Sequence, residues 1–217
     1  MIWLYILLGV LILAGAFMLA APKIFFNSVT TKLTKMYINR DFDAYYKYLD
    51  SPWVTYVVSR FDRENFRLNG FRAQNRAKEV DQQYNLLFEI AGSKKDLQRD
   101  AYYNAFDYYV LIGNKAKAKR CLEMIKSLGE PILTAQAVMT YDIKILKQAN
   151  YLDKMIPQFE KGGKLNPMLA LLIATQYENL NDRKNAAYYK KYAAGEGPEQ
   201  IAMQKEEEAK KKKNKKK

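Results

Sequence analysis

Residues Met168–Ala194 read MLALLIATQYENLNDRKNAAYYKKYAA. Leu169, Leu172, Ile173, Ala174 and Tyr177 recur at the spacing of one helix face. Asn181 then marks a turn, and a second helical run carries Ala186 at its interior. Asparagine tolerates the left-handed conformation that ends a helix. Pro167 precedes the stretch, and proline suits the first helical turn because its missing N–H would be unpaired there anyway. The stretch therefore predicts two helices folded back on each other.

A single helical pair cannot bury its apolar face alone, so further pairs are expected. Asparagine turns recur at Asn39, Asn75, Asn114, Asn150 and Asn181, with spacings of 36, 39, 36 and 31. A helix breaker follows 17 residues after four of them, at Gly92, Pro131, Pro167 and Pro198. Ala44, Ala118 and Ala186 each fall four or five residues after a turn. A small side chain there lets two helices approach closely. Tyr109 and Tyr177 each fall nine residues before the matching alanine and can cover the crossing. Val54–Val58 (VTYVV) is the one strand-like run, yet it follows Ser51-Pro52, a helix start.

This spacing resembles the tetratricopeptide repeat family. In Met168–Ala194, Ala174, Tyr177, Ala186 and Ala193 stand at the family's small, aromatic, small and small positions. Ala101–Pro131 is similar, with Tyr109, Gly113-Asn114, Ala118 and a closing proline. Elsewhere Val80 and Lys154 stand near the family's alanine, and Pro157 interrupts a second helix. The resemblance implies an all-α chain, a TPR-like α-solenoid of about five helical hairpins over residues 27–197. It also implies that first helices line a groove, which places Asn69, Arg72, Tyr103 and Asp107 there as partner-binding residues. Ile143, Leu146, Thr175 and Glu178 would follow along the same face. One subfamily grips C-terminal carboxylates, but Asn65, Gln136 and Thr140 stand where its basic residues would be. A mixed groove for a helical or extended peptide is expected instead.

Residues 1–26 form a separate unit. Ile2–Ala21 carries no charge, and twenty residues at about 1.5 Å each span the roughly 30 Å of bilayer hydrocarbon. Trp3 and Tyr5 lie at one end, and Lys23, Phe25 and Phe26 at the other, as interfacial anchors do. Ala14-Gly15-Ala16 has the form of a signal-peptidase site. The uncharged start and the continuation of the run to Ala21 favour a retained transmembrane helix. Ala16 and Ala20 form a small-xxx-small pair. Lys23, Lys32, Lys35 and Arg40 follow the segment, so the positive-inside rule puts the body in the cytoplasm.

The chain of 217 residues has 36 Lys+Arg against 23 Asp+Glu, a net charge of +13. Seven positive charges sit in Lys210–Lys213 and Lys215–Lys217, within a low-complexity tail over residues 198–217. With no histidine and only Cys121, His-based catalysis, His or Cys metal clusters and internal disulfides are excluded. Phosphate-loop, dinucleotide, nucleophile-elbow and zinc-protease motifs are missing. No enzyme, cofactor or metal is expected. Asp41, Asp43, Asp62 and Glu64 read as helix-start residues, and Cys121 as a buried small residue. Two functions stay open. One is a membrane-tethered adaptor or scaffold that holds a protein or peptide in its groove. The other is a basic binder of anionic lipid or nucleic acid, using the lysine tail and helices such as Arg60–Lys78. In that helix the cations alternate with acids and amides, which favours the adaptor.

Overall fold

A computed structural model describes residues 25–162 and 166–195. The expected membrane segment at residues 2–21 and the lysine tail lie outside the described residues. Among the described residues no helix is long and apolar enough to cross a membrane, and every regular element is an α-helix. In chain order these are α1 (residues 25–38), α2 (Phe42–Leu49), α3 (Pro52–Val57), α4 (Arg60–Ala73), α5 (Ala77–Ala91), α6 (Lys95–Leu111), α7 (Lys115–Ser127), α8 (Pro131–Lys144), α9 (Leu152–Lys161), α10 (Pro167–Asn179) and α11 (Arg183–Ala193). The chain divides between Ala101 and Tyr102, inside α6, into two compact units.

Four hairpin turns repeat one backbone motif. Arg40, Asn75, Gly113 and Asn181 hold positive φ of 57°, 56°, 71° and 58°. The next residue's N–H then donates five residues back: Asp41 to Met36 O, Arg76 to Phe71 O, Asn114 to Tyr109 O and Asp182 to Tyr177 O, at 2.8 to 3.0 Å. Each left-handed residue itself donates three back, to Tyr37, Arg72, Val110 and Glu178. These paired bonds satisfy carbonyls that a helix end leaves open. The same residues then begin the next helix. Asp41, Asn114 and Asp182 accept from the N–H three residues on, at 3.1 to 3.2 Å. A large side chain stands at each receiving carbonyl: Met36, Phe71, Tyr109 and Tyr177.

This motif corrects the sequence reading at two turns. Arg40, not Asn39, is left-handed in the first, and Gly113, not Asn114, in the third. The one-residue slip matters at the crossing. Five residues after the left-handed position come Tyr45, Val80, Ala118 and Ala186, all buried. Tyr45 therefore fills the place given to Ala44, which is only half-buried. At the fourth turn Lys147, not Asn150, has positive φ, and no side chain caps α9 at Tyr151.

In the N-terminal unit Val29, Leu33, Tyr45, Leu49, Val54 and Val58 form the core. The VTYVV run is helical because Val54 and Val58, one turn apart, both bury in that core. Val58 is already extended and stops the helix. Gly70 on α4 lies against α2, where a Cβ would stand 2.7 Å from Tyr46 Oη. Behind it the buried Glu64 carboxylate receives Arg67 Nε at 3.0 Å and Gln83 Nε2 at 2.9 Å, and Arg67 also pairs with Asp50. That network ties α2, α4 and α5.

In the C-terminal unit Ile143, Met155, Phe159, Ala170, Leu172, Ile173 and Ala174 pack with Tyr189 and Tyr192. Phe159 meets both tyrosines edge-on, and Tyr177 stacks on Tyr189 at 5.6 Å. The small side chains of α10 leave room for these rings. Ala186 on α11 is 4% exposed.

Candidate functional site

The N-terminal unit contains a cavity of about 280 Å³ lined by Leu33, Thr34, Tyr37, Tyr45, Phe66 and Asn69. Helical spacing builds its walls. Leu33 and Tyr37 are four apart on α1, and Phe66 and Asn69 three apart on α4, so each pair shares a face. Tyr45 of α2 forms the floor. Its hydroxyl donates to Phe66 O at 2.6 Å, which fixes the ring. Burial raises its phenol well above the ordinary value, so it is neutral. Tyr37 meets Phe42 edge-on at 6.1 Å and tilts over Tyr45 at 6.3 Å.

The lining combines aromatic rings and aliphatic surface with the Tyr37 and Tyr45 phenols, and with the Thr34 hydroxyl and Asn69 carboxamide at the exposed lip. Among the described residues no charged side chain lines it. Such a surface takes apolar side chains and offers hydrogen bonds to a peptide backbone. Among the described residues this lining holds no nucleophile–base pair.

The four sequence-derived groove residues are divided by the chain's two units. Asn69 and Arg72 lie on α4 in the N-terminal unit. Asn69 lines the cavity, and the half-buried Arg72 is one turn beyond it. Tyr103 and Asp107 lie on α6 in the C-terminal unit. Tyr103 is half-buried and its hydroxyl donates to Leu133 O at 3.4 Å. Desolvation raises its pKa, and the Asp107 charge adds to that. Asp107 is exposed. Ile143, which the family resemblance placed toward a groove, is fully buried in the core instead. Glu178 pairs with Lys190 of the neighbouring helix.

The spacing did not single out Thr34, Tyr45 or Phe66. Leu33 and Tyr37 carried a signal in the 3.6-residue pattern of α1. Tyr45 was hidden by the slip of one residue at the first turn.

The other polar candidates have structural duties. Asp41 caps α2, and Ser59 caps α4 by accepting from Asp62 N–H while donating to its carboxylate. Cys121 is 2% exposed on α7. Burial pushes its thiol up to about 11, with Arg120 opposing, so it is protonated at neutral pH. Among the described residues no three His, Cys, Asp or Glu side chains gather in a way that could hold a metal ion. Comparison with family models, curated proteins and solved structures gives no match.

Proposed function

We propose that the chain is a membrane-tethered scaffold of TPR-like hairpins that holds a protein or peptide partner on its first helices. The observation that carries this reading is the aromatic-floored cavity between α1 and α4, with no charge among its described lining residues and Asn69 at its lip. It is open to an apolar side chain, and its hydrogen-bonding groups match a peptide backbone. Arg72 extends the same helix. Tyr103 and Asp107 are proposed as a second contact region on α6. The apolar run at residues 2–21 supports a single-pass anchor with the amino terminus outside and the body in the cytoplasm.

A photo-crosslinking side chain at Thr34 in the membrane-bound full chain tests this. It should capture a protein partner that the same probe at the exposed Lys119 does not. Tyr37→Ala with Asn69→Arg should abolish the crosslink, since truncating an interface anchor typically costs about 2 kcal/mol or more. Arg72→Ala with Tyr103→Ala should weaken it. Removing residues 210–217 should leave it intact. If the groove variants keep the partner and the tail deletion loses it, the scaffold reading fails. Function then passes to electrostatic binding of anionic lipid or nucleic acid by the lysine run.

A further inference from the structure

Residues 51–59 read SPWVTYVVS, nine positions without a charge between Asp50 and Arg60. The helix they form, α3, is apolar on two sides. Val54 and Val58 turn into the core at 0% and 3% exposure. Trp53 and Tyr56 turn outward at 45% and 87%. They are three residues apart, so both rings lie on one face. The core accounts for the inner face, and on the outer one Trp53 and Tyr56 stay exposed among the described residues, with Phe25 against the Trp53 ring.

The position of that face is set by Phe25. Trp53 meets the Phe25 ring edge-on, with centroids 5.0 Å apart. Phe25 follows the end of the uncharged run, Ala21, by four residues. Four residues reach at most about 14 Å when extended and about 6 Å when helical. The polar layer on each side of the bilayer hydrocarbon is itself roughly 5–8 Å deep. If residues 2–21 span the membrane, chain length holds Phe25 close to the headgroups, and the ring contact holds Trp53 there with it.

We infer that the Trp53–Tyr56 face of α3, together with Phe25, rests in the headgroup layer of the membrane that residues 2–21 anchor. The inference depends on that anchor reading. The ring types suit the place, because tryptophan and tyrosine present an apolar body and a polar tip and concentrate at membrane–water boundaries. The charge suits it as well. Lys32 lies over the Tyr48 ring at 4.2 Å, and Lys32 and Lys35 line a shallow recess on α1 with Asn27, Ser28 and Thr31. Ammonium, hydroxyl and amide donors of this kind are what lipid phosphates accept from. The consequence is orientational. A tether through one helix leaves the body free to swivel, whereas a second contact through α3 fixes how the first unit faces the membrane.

The chain has two tryptophans, so Trp3→Phe leaves Trp53 as the only one. The full-length variant is reconstituted in vesicles of zwitterionic and anionic phospholipid, with or without shallow bromine labels on the acyl chains. Trp53 should lose most of its emission in the brominated vesicles and should be shielded from aqueous iodide. Tyr56→Trp with Trp53→Phe, in the same background, should behave alike. Tyr56→Ser, at a site too exposed to affect folding, should reduce the quenching of Trp53. If the chain floats with the vesicles but Trp53 keeps its emission, the inference is wrong and the anchor stands. If the chain does not float, the anchor reading fails and takes the inference with it. Shielding from iodide that appears only at high protein-to-lipid ratio, without bromine quenching, would make the face a protein contact and overturn the inference.

Discussion

The turns inside the fourth hairpin, α8–α9, and the fifth, α10–α11, are closed in different ways. Between α10 and α11 the closure is local. Asn181 is left-handed, Asp182 N–H returns to Tyr177 O, and the Asp182 carboxylate caps α11. Between α8 and α9 the loop is longer, and to local bonds such as Leu146 N–H to Tyr141 O and Gln148 N–H to Asp142 O it adds partners from a distance. Asn179 Nδ2 donates to Ile143 O at 2.9 Å and to Gln148 O at 3.0 Å. Gln176 Oε1 accepts from Tyr151 N–H at 2.9 Å. Both side chains belong to α10. The fourth hairpin is thus completed by the fifth, while the fifth closes itself. The contrast explains how α9 survives Pro157, which removes a helical N–H. Its hold is Met155 and Phe159, each 2% exposed, together with the Gln176 acceptor for the Tyr151 N–H.

The largest expected effect is at Gln176, which is fully buried. Its amide also donates to Met155 Sδ at 3.1 Å. Gln176→Ala leaves the Tyr151 N–H without its acceptor and opens a cavity beside Met155. An unsatisfied buried group costs about 1–3 kcal/mol and lost packing adds to it, so a total of roughly 2–4 kcal/mol is expected. Urea unfolding of the full chain measures this. Hydrogen exchange should show residues 145–155 opening before α11. If α11 opens first, the fourth hairpin does not depend on the fifth.

That dependence also explains what the sequence left hidden. Where a turn is local, its residues announce it: Asn75 and Asn181 are left-handed as the spacing predicts. Arg40 gave no such signal, because arginine has no preference for that conformation. The neighbouring Asn39 drew the turn one residue early and moved the buried position from Tyr45 to Ala44. Gln176 and Asn179 lie 25 to 36 residues from their partners, beyond any short-range pattern. The all-helical class was legible because the breakers and the apolar period agree. The strand-like VTYVV run became a helix through Pro52 and the burial of Val54 and Val58. Of the cavity lining the sequence reading had named only Asn69, and that as a groove residue implied by the resemblance, since the rest depends on how α1, α2 and α4 meet.

Ala186 sharpens the local side of the comparison. It is 4% exposed, while Ala187 beside it is exposed. Ala186→Leu should destabilise by about 1–3 kcal/mol, because added methylenes at a packed crossing force side chains and backbone to move. Ala187→Leu should leave the unfolding midpoint almost unchanged. Equal effects would mean that α11 does not pack through this face. At the turn itself Asn181→Val should cost about 1–2 kcal/mol, since a side chain other than glycine or asparagine is strained at positive φ. Asn150→Val should cost far less, because Asn150 has no positive φ to lose.

The smallest effect is a pH dependence that separates two turns of the same backbone form. The Asp182 carboxyl is held below its ordinary value of 3.8, first by the Asn185 backbone N–H and then by the Asn185 side chain. A carboxyl whose pKa is lowered by folding stabilises the folded state when it is ionised. That contribution is present above the ordinary value and is lost as pH falls through the lowered one. Asp182→Asn keeps an acceptor oxygen but cannot ionise. The wild-type chain should therefore exceed this variant in urea midpoint at neutral pH, with the gap closing on acidification below 3.8. Asn114 occupies the same position at the third turn and accepts from Lys117 N–H at 3.1 Å without a charge. Asn114→Asp should create there the acid-side dependence that Asp182→Asn removes. A gap at Asp182 that does not change with pH, or an Asn114→Asp variant that loses no more stability in acid than the wild type, would show that charge adds nothing to these caps. Hydrogen-bond geometry alone would then account for both.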